Sequence, residues 1–317
     1  LLITLLDTFL RTLETTLPVF VMVFLGIGLR RIGWIDQPFI NTASALVFKA
    51  TLPTLVFLSI IRADLDATLN PPLLGFYLVA TLVSFGLVWL WATRRIPHQD
   101  RGVYVQGAFR GNCGIVGLAL AANLYGDYGL SAGGLLLGLV IVTYNTLSVA
   151  VLLAYHPEKS MNLASTARDI ARNPLIIAVL VALPVAASGI ALPDWVMTSG
   201  NYFASLTLPL ALLCIGATIS LKSLRTESGP ALGSSFWKMV LLPAGCTLAA
   251  WLAGFEGQEL GLMFLFFASP TAAASFVMVK ALGGNARMAA NIIALTTLAA
   301  SLTITLGVFL LQSFGVA

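Results

Sequence analysis

Ten apolar runs follow one another along this chain, each close to the ~20 residues a helix needs to cross a bilayer. They cover residues 15–31, 39–61, 72–93, 102–125, 130–155, 173–191, 195–220, 235–254, 259–282 and 288–314. Within hydrocarbon, a helix satisfies all its backbone polar groups inside one segment, so the pattern predicts an all-α membrane protein of ten spans. Only 9% of the 317 residues are charged, against about 25% in a soluble domain. That is too little polar surface to cover a globule in water. The first run, apolar from near Leu17, has no small-residue cleavage site after it and is expected to stay as a span rather than leave as a signal peptide.

The longest polar linker, 156–172, carries Pro157, Glu158, Lys159, Arg168 and Asp169 and separates 1–155 from 173–317, five runs on each side. Punctuation repeats across it at a nearly constant offset. Leu17-Pro18 opens run 1 and Asn173-Pro174 opens run 6; Thr51-Leu52-Pro53 in run 2 recurs as Thr207-Leu208-Pro209 in run 7; Leu124-Tyr125-Gly126 and Leu282-Gly283-Gly284 end runs 4 and 9. An odd number of spans per copy turns the second copy upside down, so the expectation is two inverted five-helix repeats. Loop charge sets the orientation. With the N-terminus outside, Arg30, Arg31, Arg94, Arg95, Arg101, Lys159, Arg168, Arg172, Lys222, Arg225 and Arg287 fall inside, and only Arg11 and Arg62 fall outside. Asp64, Asp66, Asp127, Asp194, Glu256 and Glu259 join them outside. Both termini are therefore expected outside a plasma (inner) membrane crossed many times.

Several function classes drop out. The basic residues lie in short loops without a stripe or aromatic-basic repeat, so no nucleic-acid partner is indicated. Cys113, Cys214 and Cys246 lack paired spacing and read as core thiols. His98 and His156 have no metal-ligand neighbours, and there is no Ser-His-Asp set or HExxH motif, so neither a metal centre nor an intramembrane hydrolase is expected.

Charged residues inside a membrane are costly and mark function by default. Four basic candidates lie within runs, Lys49, Arg110, Lys238 and Lys280, while no Asp or Glu lies deep in any of them. Cations without carboxylates favour an anionic ligand. The densest break is Phe109-Arg110-Gly111-Asn112-Cys113-Gly114-Ile115-Val116-Gly117 in run 4. At 1.5 Å per residue, Arg110 lies ~12 Å in from Gly102 and Asn112 ~15 Å, near mid-depth. The planar fork of Arg110 suits a carboxylate, although an arginine here can also bind freed backbone carbonyls or reach to the cytoplasmic face. Gly111, Gly114 and Gly117 fit either bare backbone facing a ligand or close helix packing.

The second break is Phe267-Ala268-Ser269-Pro270-Thr271 in run 9. Pro270 removes a backbone donor. Two antiparallel broken helices can cross there, aiming the N-terminal ends of their second halves at an anion and offering free carbonyls to a cation. Lys49, four residues before Pro53, fits a ligand role or pairing with carbonyls; Lys280 fits reaching to the interface; Lys238, at a run end, fits an interface anchor. Thr51, Thr54, Thr207, Ser269, Thr271, Tyr144 and Asn145 can add hydroxyls or amides. The substrate-site set is thus Arg110, Gly111, Asn112, Cys113 and Gly114 with Ser269, Pro270 and Thr271, together with Lys49 and Asn145.

In order and spacing, Phe109-Arg110-Gly111-Asn112-x-Gly114-x-x-Gly117 followed by Leu124-Tyr125-Gly126 resembles the fourth span of the auxin efflux carrier family. These are the bacterial relatives of plant PIN exporters and include malonate-type carriers, within the bile-acid, arsenite and riboflavin transporter superfamily. Leu52-Pro53, Asn173-Pro174, Leu208-Pro209 with Gly216, and the stretch from Pro270 to Lys280 extend the resemblance over nearly the whole chain. It implies a bile-acid-transporter-like fold with crossed discontinuous helices 4 and 9, and scaffold and transport domains each built from both repeats. It also places Asn112 on the family's substrate-facing asparagine, Pro270 on its crossover proline and Lys280 on its span 9 lysine. The chain departs in having Ala119 where proline is frequent and Gly111 before the asparagine, and it lacks the long cytoplasmic loop of plant members.

The expectation is a secondary transporter, not an enzyme, for small organic anions: mono- or dicarboxylates such as malonate, or indole-acetate-like acids. No cofactor is expected beyond a coupling Na+ or H+. The alternatives are a sodium- or proton-coupled carrier of a neutral solute and, less favoured, a channel or sensor. Runs 3 and 8 have plain lipid-facing surface enough for a homodimer.

Overall fold

The computed structural model describes residues 2–63, 70–155, 168, 171–190, 192–219 and 229–316. Most of the central linker, Lys222 and Arg225, and Asp64 and Asp66 lie outside the described residues. Within them the chain is helical and contains no strand, only an isolated antiparallel bridge between Gly111 and Thr271.

Seven helical stretches are long and apolar enough to cross a membrane: Leu6–Arg31, Gln37–Arg62, Pro71–Arg95, Cys113–Ala154, Asp194–Thr218, Gly229–Leu252 and Ala286–Ser313. Two shorter apolar helices, Pro174–Ser188 and Gly257–Ala268, accompany them. Runs 4 and 5 join because Leu118–Ala154 continues through Gly126, whose φ of 54° and ψ of −130° turn the chain without a loop. Only a residue without Cβ takes that conformation readily. Runs 4 and 9 are each cut at mid-length, as Arg101–Phe109 before Cys113–Gly117 and as Gly257–Ala268 before Ala274–Ala281.

The outer surface is apolar: Val79, Leu82, Val83, Leu87 and Leu90 are exposed along Pro71–Arg95, as are Leu302, Leu306 and Leu310 on the last helix. A water-soluble protein does not leave such a belt uncovered, and the chain is a multi-pass membrane protein.

One repeat marker differs from expectation. Asn173 caps Pro174–Ser188, accepting from the Leu175 amide at 2.9 Å, with Pro174 in the first turn. Pro18, by contrast, lies inside the helix Leu2–Arg31 and does not open it. Other prolines sit where their missing N–H is absorbed. Pro53 and Pro243 each follow a widened π turn, Val47–Thr51 and Trp237–Leu241, whose looser hydrogen bonding accommodates the lost donor. Helix Leu2–Arg31 packs tightly on Thr207–Thr218 through Gly26 and Gly216, where any Cβ would run into the facing backbone at Leu213 and Val23.

Candidate functional site

The two breaks meet backbone to backbone. The Asn112 amide donates to the Pro270 carbonyl at 2.7 Å, and the Ala272 amide donates to the Arg110 carbonyl at 3.1 Å. These bonds satisfy groups that broken helices leave open, the accounting a low-dielectric interior demands. The Asn112 carbonyl accepts from Ile115, Val116 and Gly117, starting the second half of its helix.

Each break also caps the other helix. Thr271 Oγ1 donates to the Gly107 carbonyl at 2.7 Å, in the last turn of Arg101–Phe109. Cys113 Sγ donates to the Phe266 carbonyl at 3.3 Å, in the last turn of Gly257–Ala268. Cys113 and Thr271 are 158 positions apart, the offset that also separates Gly126 from Gly284. The Thr271 amide in turn donates to Thr296 Oγ1 at 3.0 Å. Ser269 Oγ donates to the Leu265 carbonyl at 2.8 Å.

Arg110 is 8% exposed. Its guanidinium does not reach to a surface and, among the described residues, donates to no backbone carbonyl. One terminal nitrogen donates to Ser148 Oγ at 3.1 Å and Met278 Sδ at 2.7 Å, and the other donates to Asn145 Oδ1 at 2.8 Å. Of the five guanidinium N–H groups, two are left without a protein acceptor among the described residues. Asn145 thus orients the Arg110 guanidinium. No carboxylate pairs with it: among the described residues the ion pair present is Arg11 with Asp7, at the surface, and no Asp or Glu is buried.

Arg110, Gly111, Asn112, Cys113, Gly114 and Asn145 all line one cavity of about 310 Å³, closed on other sides by apolar groups including Phe48, Leu137, Val140, Ile141 and Ile215. It extends to Asn173 and to exposed Thr218. The Asn112 side chain makes no hydrogen bond to the protein among the described residues, so its amide is free to meet whatever enters. Ala272, Ala273 and Ala274 carry the second break into the lining. Ser269, Pro270 and Thr271 are buried at the crossover behind it and do not line it.

The three glycines divide. A Cβ at Gly111 would lie 3.1 Å from Lys238 Nζ, and one at Gly117 would lie 2.7 Å from Ser269 Oγ. Both exist for close approach. A Cβ at Gly114 would meet Leu137 at an ordinary 3.4 Å, and Gly114 borders the cavity. None of the three has positive φ.

The four basic candidates separate the same way. Lys49 is exposed on its π turn, Lys280 is exposed on Ala274–Ala281, and neither lines the cavity. Lys238 is a correction to the sequence reading. It is no interface anchor: it is 1% exposed, and its Nζ donates to the Phe267 carbonyl at 2.7 Å, at the end of the broken helix. Neighbouring sequence carries no signal for this, because the face that Lys238 presents depends on the π turn it occupies.

A second cavity, about 250 Å³, is lined by Leu58, Ser59, Arg62, Asp127, Asn201 and Ser205 among others. Along Gln37–Arg62 the first cavity uses Ser44 to Phe48 and the second uses Leu55 to Ala63; along Asp194–Thr218 the first uses Ala211 to Thr218 and the second uses Asn201 to Ser205. The two cavities thus occupy opposite ends of the same two helices. Among the described residues no group of three or more His, Cys, Asp or Glu is placed to hold a metal ion.

Comparison with known proteins points to a membrane transporter. An uncharacterized transporter of Methanothermobacter thermautotrophicus is 24% identical over 284 residues, covering 85% of this chain and 88% of that protein. An uncharacterized transporter of Methanocaldococcus jannaschii is 22% identical over 309 residues, covering 93% and 97%. A Rhizobium meliloti protein named "Putative malonate transporter" is 25% identical over 312 residues, covering 94% and 95%. The model of the family described as membrane transport protein matches residues 12–308, and the chain belongs to that family, the one that holds the auxin efflux carriers.

Proposed function

We propose that this transporter is a secondary carrier of small organic anions whose carboxylate is held at the crossover by Arg110 and Asn112. The observation that carries the reading is a buried guanidinium that lines a cavity of about 310 Å³ and has, among the described residues, no acidic partner and two N–H groups without an acceptor. In a low-dielectric site such a charge calls for an anion. The N-terminal end of the half-helix that begins at Cys113 adds partial positive charge at the same place.

The lining narrows the substrate. Arg110 is the cation in it, and most of the remaining surface is aliphatic or aromatic. One carboxylate on an apolar body fits better than two, because a second carboxylate would meet no further cation in the lining, only neutral groups such as Ser44, Asn173 and Thr218 or apolar walls. Malonate, suggested by the name of the Rhizobium meliloti relative, is the dicarboxylate comparator.

The carrier works by alternating access. Cavities at opposite ends of Gln37–Arg62 and Asp194–Thr218 support it, with Val56 packed against Gly134 and Leu52 near Gly114 between them. In the N-out orientation the Arg110 cavity reaches the cytoplasmic side. Ten spans in two inverted repeats, 1–155 and 173–317, are the arrangement we infer. The antiparallel bridge and the reciprocal caps by Cys113 and Thr271 support it.

The test is uptake of radiolabelled indole-3-acetate and malonate into proteoliposomes by the wild-type protein and by Arg110→Ala and Arg110→Lys. We expect Ala to lower flux by roughly a hundredfold, as for loss of a buried charge-assisted contact, and Lys to restore part of it. Full flux in Arg110→Ala would overturn the assignment.

A further inference from the structure

We infer that Lys238 is a tethered cation filling the seat at the crossover where a coupling sodium ion would otherwise bind, so transport by this protein is sodium-independent. The C-terminal end of a helix carries roughly half a negative charge and unpaired carbonyls. In transporters with broken helices, such ends are where coupling cations sit. Here the end in question is that of Gly257–Ala268, and three of its last four carbonyls are already taken. Leu265 is met by Ser269 Oγ at 2.8 Å, Phe266 by Cys113 Sγ at 3.3 Å, and Phe267 by Lys238 Nζ at 2.7 Å.

The fit around the ammonium is tight. The free space beside it, bounded by Thr81, Ser84, Phe109, Tyr144, Leu242 and Phe267, is about 10 Å³. That holds about one water and no hydrated ion. Tyr77 stacks on Phe267 with ring centroids 4.3 Å apart and shares a 2.9 Å hydrogen bond with Tyr144, walling the ammonium off. Gly111 keeps the approach open, since a Cβ there would lie 3.1 Å from Nζ. The π turn Trp237–Leu241, set just before Pro243, rotates Lys238 toward the crossover. No Asp or Glu is buried among the described residues, so the negative end of the half-helix is the partner of this charge. An ammonium on a side chain cannot leave with the substrate, as a sodium ion does. The anion then moves without a sodium ion, and its gradient and the membrane potential drive it.

The transport part of this inference rests on the crossover being the anion site, and the experiment separates the two. Purified protein is heated in NaCl, KCl or choline chloride at one ionic strength, with and without methylammonium, and flux of indole-3-acetate and malonate is measured under the same salts. The wild type is expected to melt and transport identically in all three. Lys238→Ala is expected to lose roughly ten- to hundredfold in flux, the scale of one charge-assisted hydrogen bond, and to regain part of its melting temperature and flux in methylammonium or NaCl but not in choline. Lys238→Met fills the space without charge and should show the loss without the rescue. Sodium stimulation of the wild type overturns the inference, and so does a Lys238→Ala protein that is unaffected or that no small cation rescues. If Lys238→Ala does not fold, the sodium comparison on the wild type still decides. Full flux in Arg110→Ala removes the anion reading alone and leaves the melting results to decide the role of Lys238.

Discussion

Replacing Gly117 with Ala puts a methyl group where the structure has no room for one. The new Cβ would lie 2.7 Å from Ser269 Oγ, with Phe266 Cδ2 next at an ordinary 3.5 Å. Ser269 is fully buried, and its hydroxyl donates to the Leu265 carbonyl at 2.8 Å. Either the two half-helices separate by several tenths of an ångström, which costs about 1–3 kcal/mol as overpacking, or the hydroxyl rotates away and forfeits a hydrogen bond of about 1 kcal/mol. A loss near 2 kcal/mol is expected, roughly thirtyfold in the folding equilibrium. Ser269→Ala alone should cost about 1 kcal/mol. In the double variant the obstructing oxygen is gone, so the pair should cost little more than Ser269→Ala by itself, a coupling of about 2 kcal/mol in favour of the pair. Thermal unfolding in detergent should show Gly117→Ala about 4 °C below wild type, with about half of the difference recovered in the double variant. Gly114→Ala is the control: its Cβ has ordinary contacts but enters the cavity, so it should melt like wild type and bind the anion more weakly. Strict additivity of the two substitutions, or an unchanged Gly117→Ala, would refute the close-approach argument.

Two further expectations follow from the site. Asn112→Ala removes a side chain that bonds to nothing in the protein among the described residues, so stability should stay within about 0.5 kcal/mol while anion affinity, read by equilibrium binding, falls roughly tenfold; equal affinity would take Asn112 out of the site. Lys49→Gln, on an exposed position away from the cavity, should leave flux within about twofold, within the range of surface substitutions. A large loss of flux there would mean that Lys49 enters the pathway in another conformation.

Much of this protein is legible in its sequence. The long apolar runs dictate helices in lipid, because no other open element satisfies its backbone there. Glycine, proline and asparagine mark where runs 4 and 9 must break, and the absence of deep Asp or Glu leaves the break in run 4 cationic. Asn173 as a cap and Gly126 as a turn are likewise readable, since each depends on chemistry local to its own residue.

Other features wait for tertiary structure. In a membrane, lipid is as apolar as a helix interface, so periodicity does not say which face of a span turns inward. That is why Lys49 and Lys238, each one turn or so before a proline, look alike in sequence and end on opposite sides, one exposed and one sealed against the Phe267 carbonyl. The roles of Gly111, Gly114 and Gly117 diverge for the same reason: what a glycine excludes depends on the atom facing it from another helix. The sequence alone determined that this chain has a cationic break in mid-membrane. Only packing decided that Arg110 faces a cavity while Lys238 lies against a helix end, because burial of a charge is a property of everything around it and not of its neighbours in the chain.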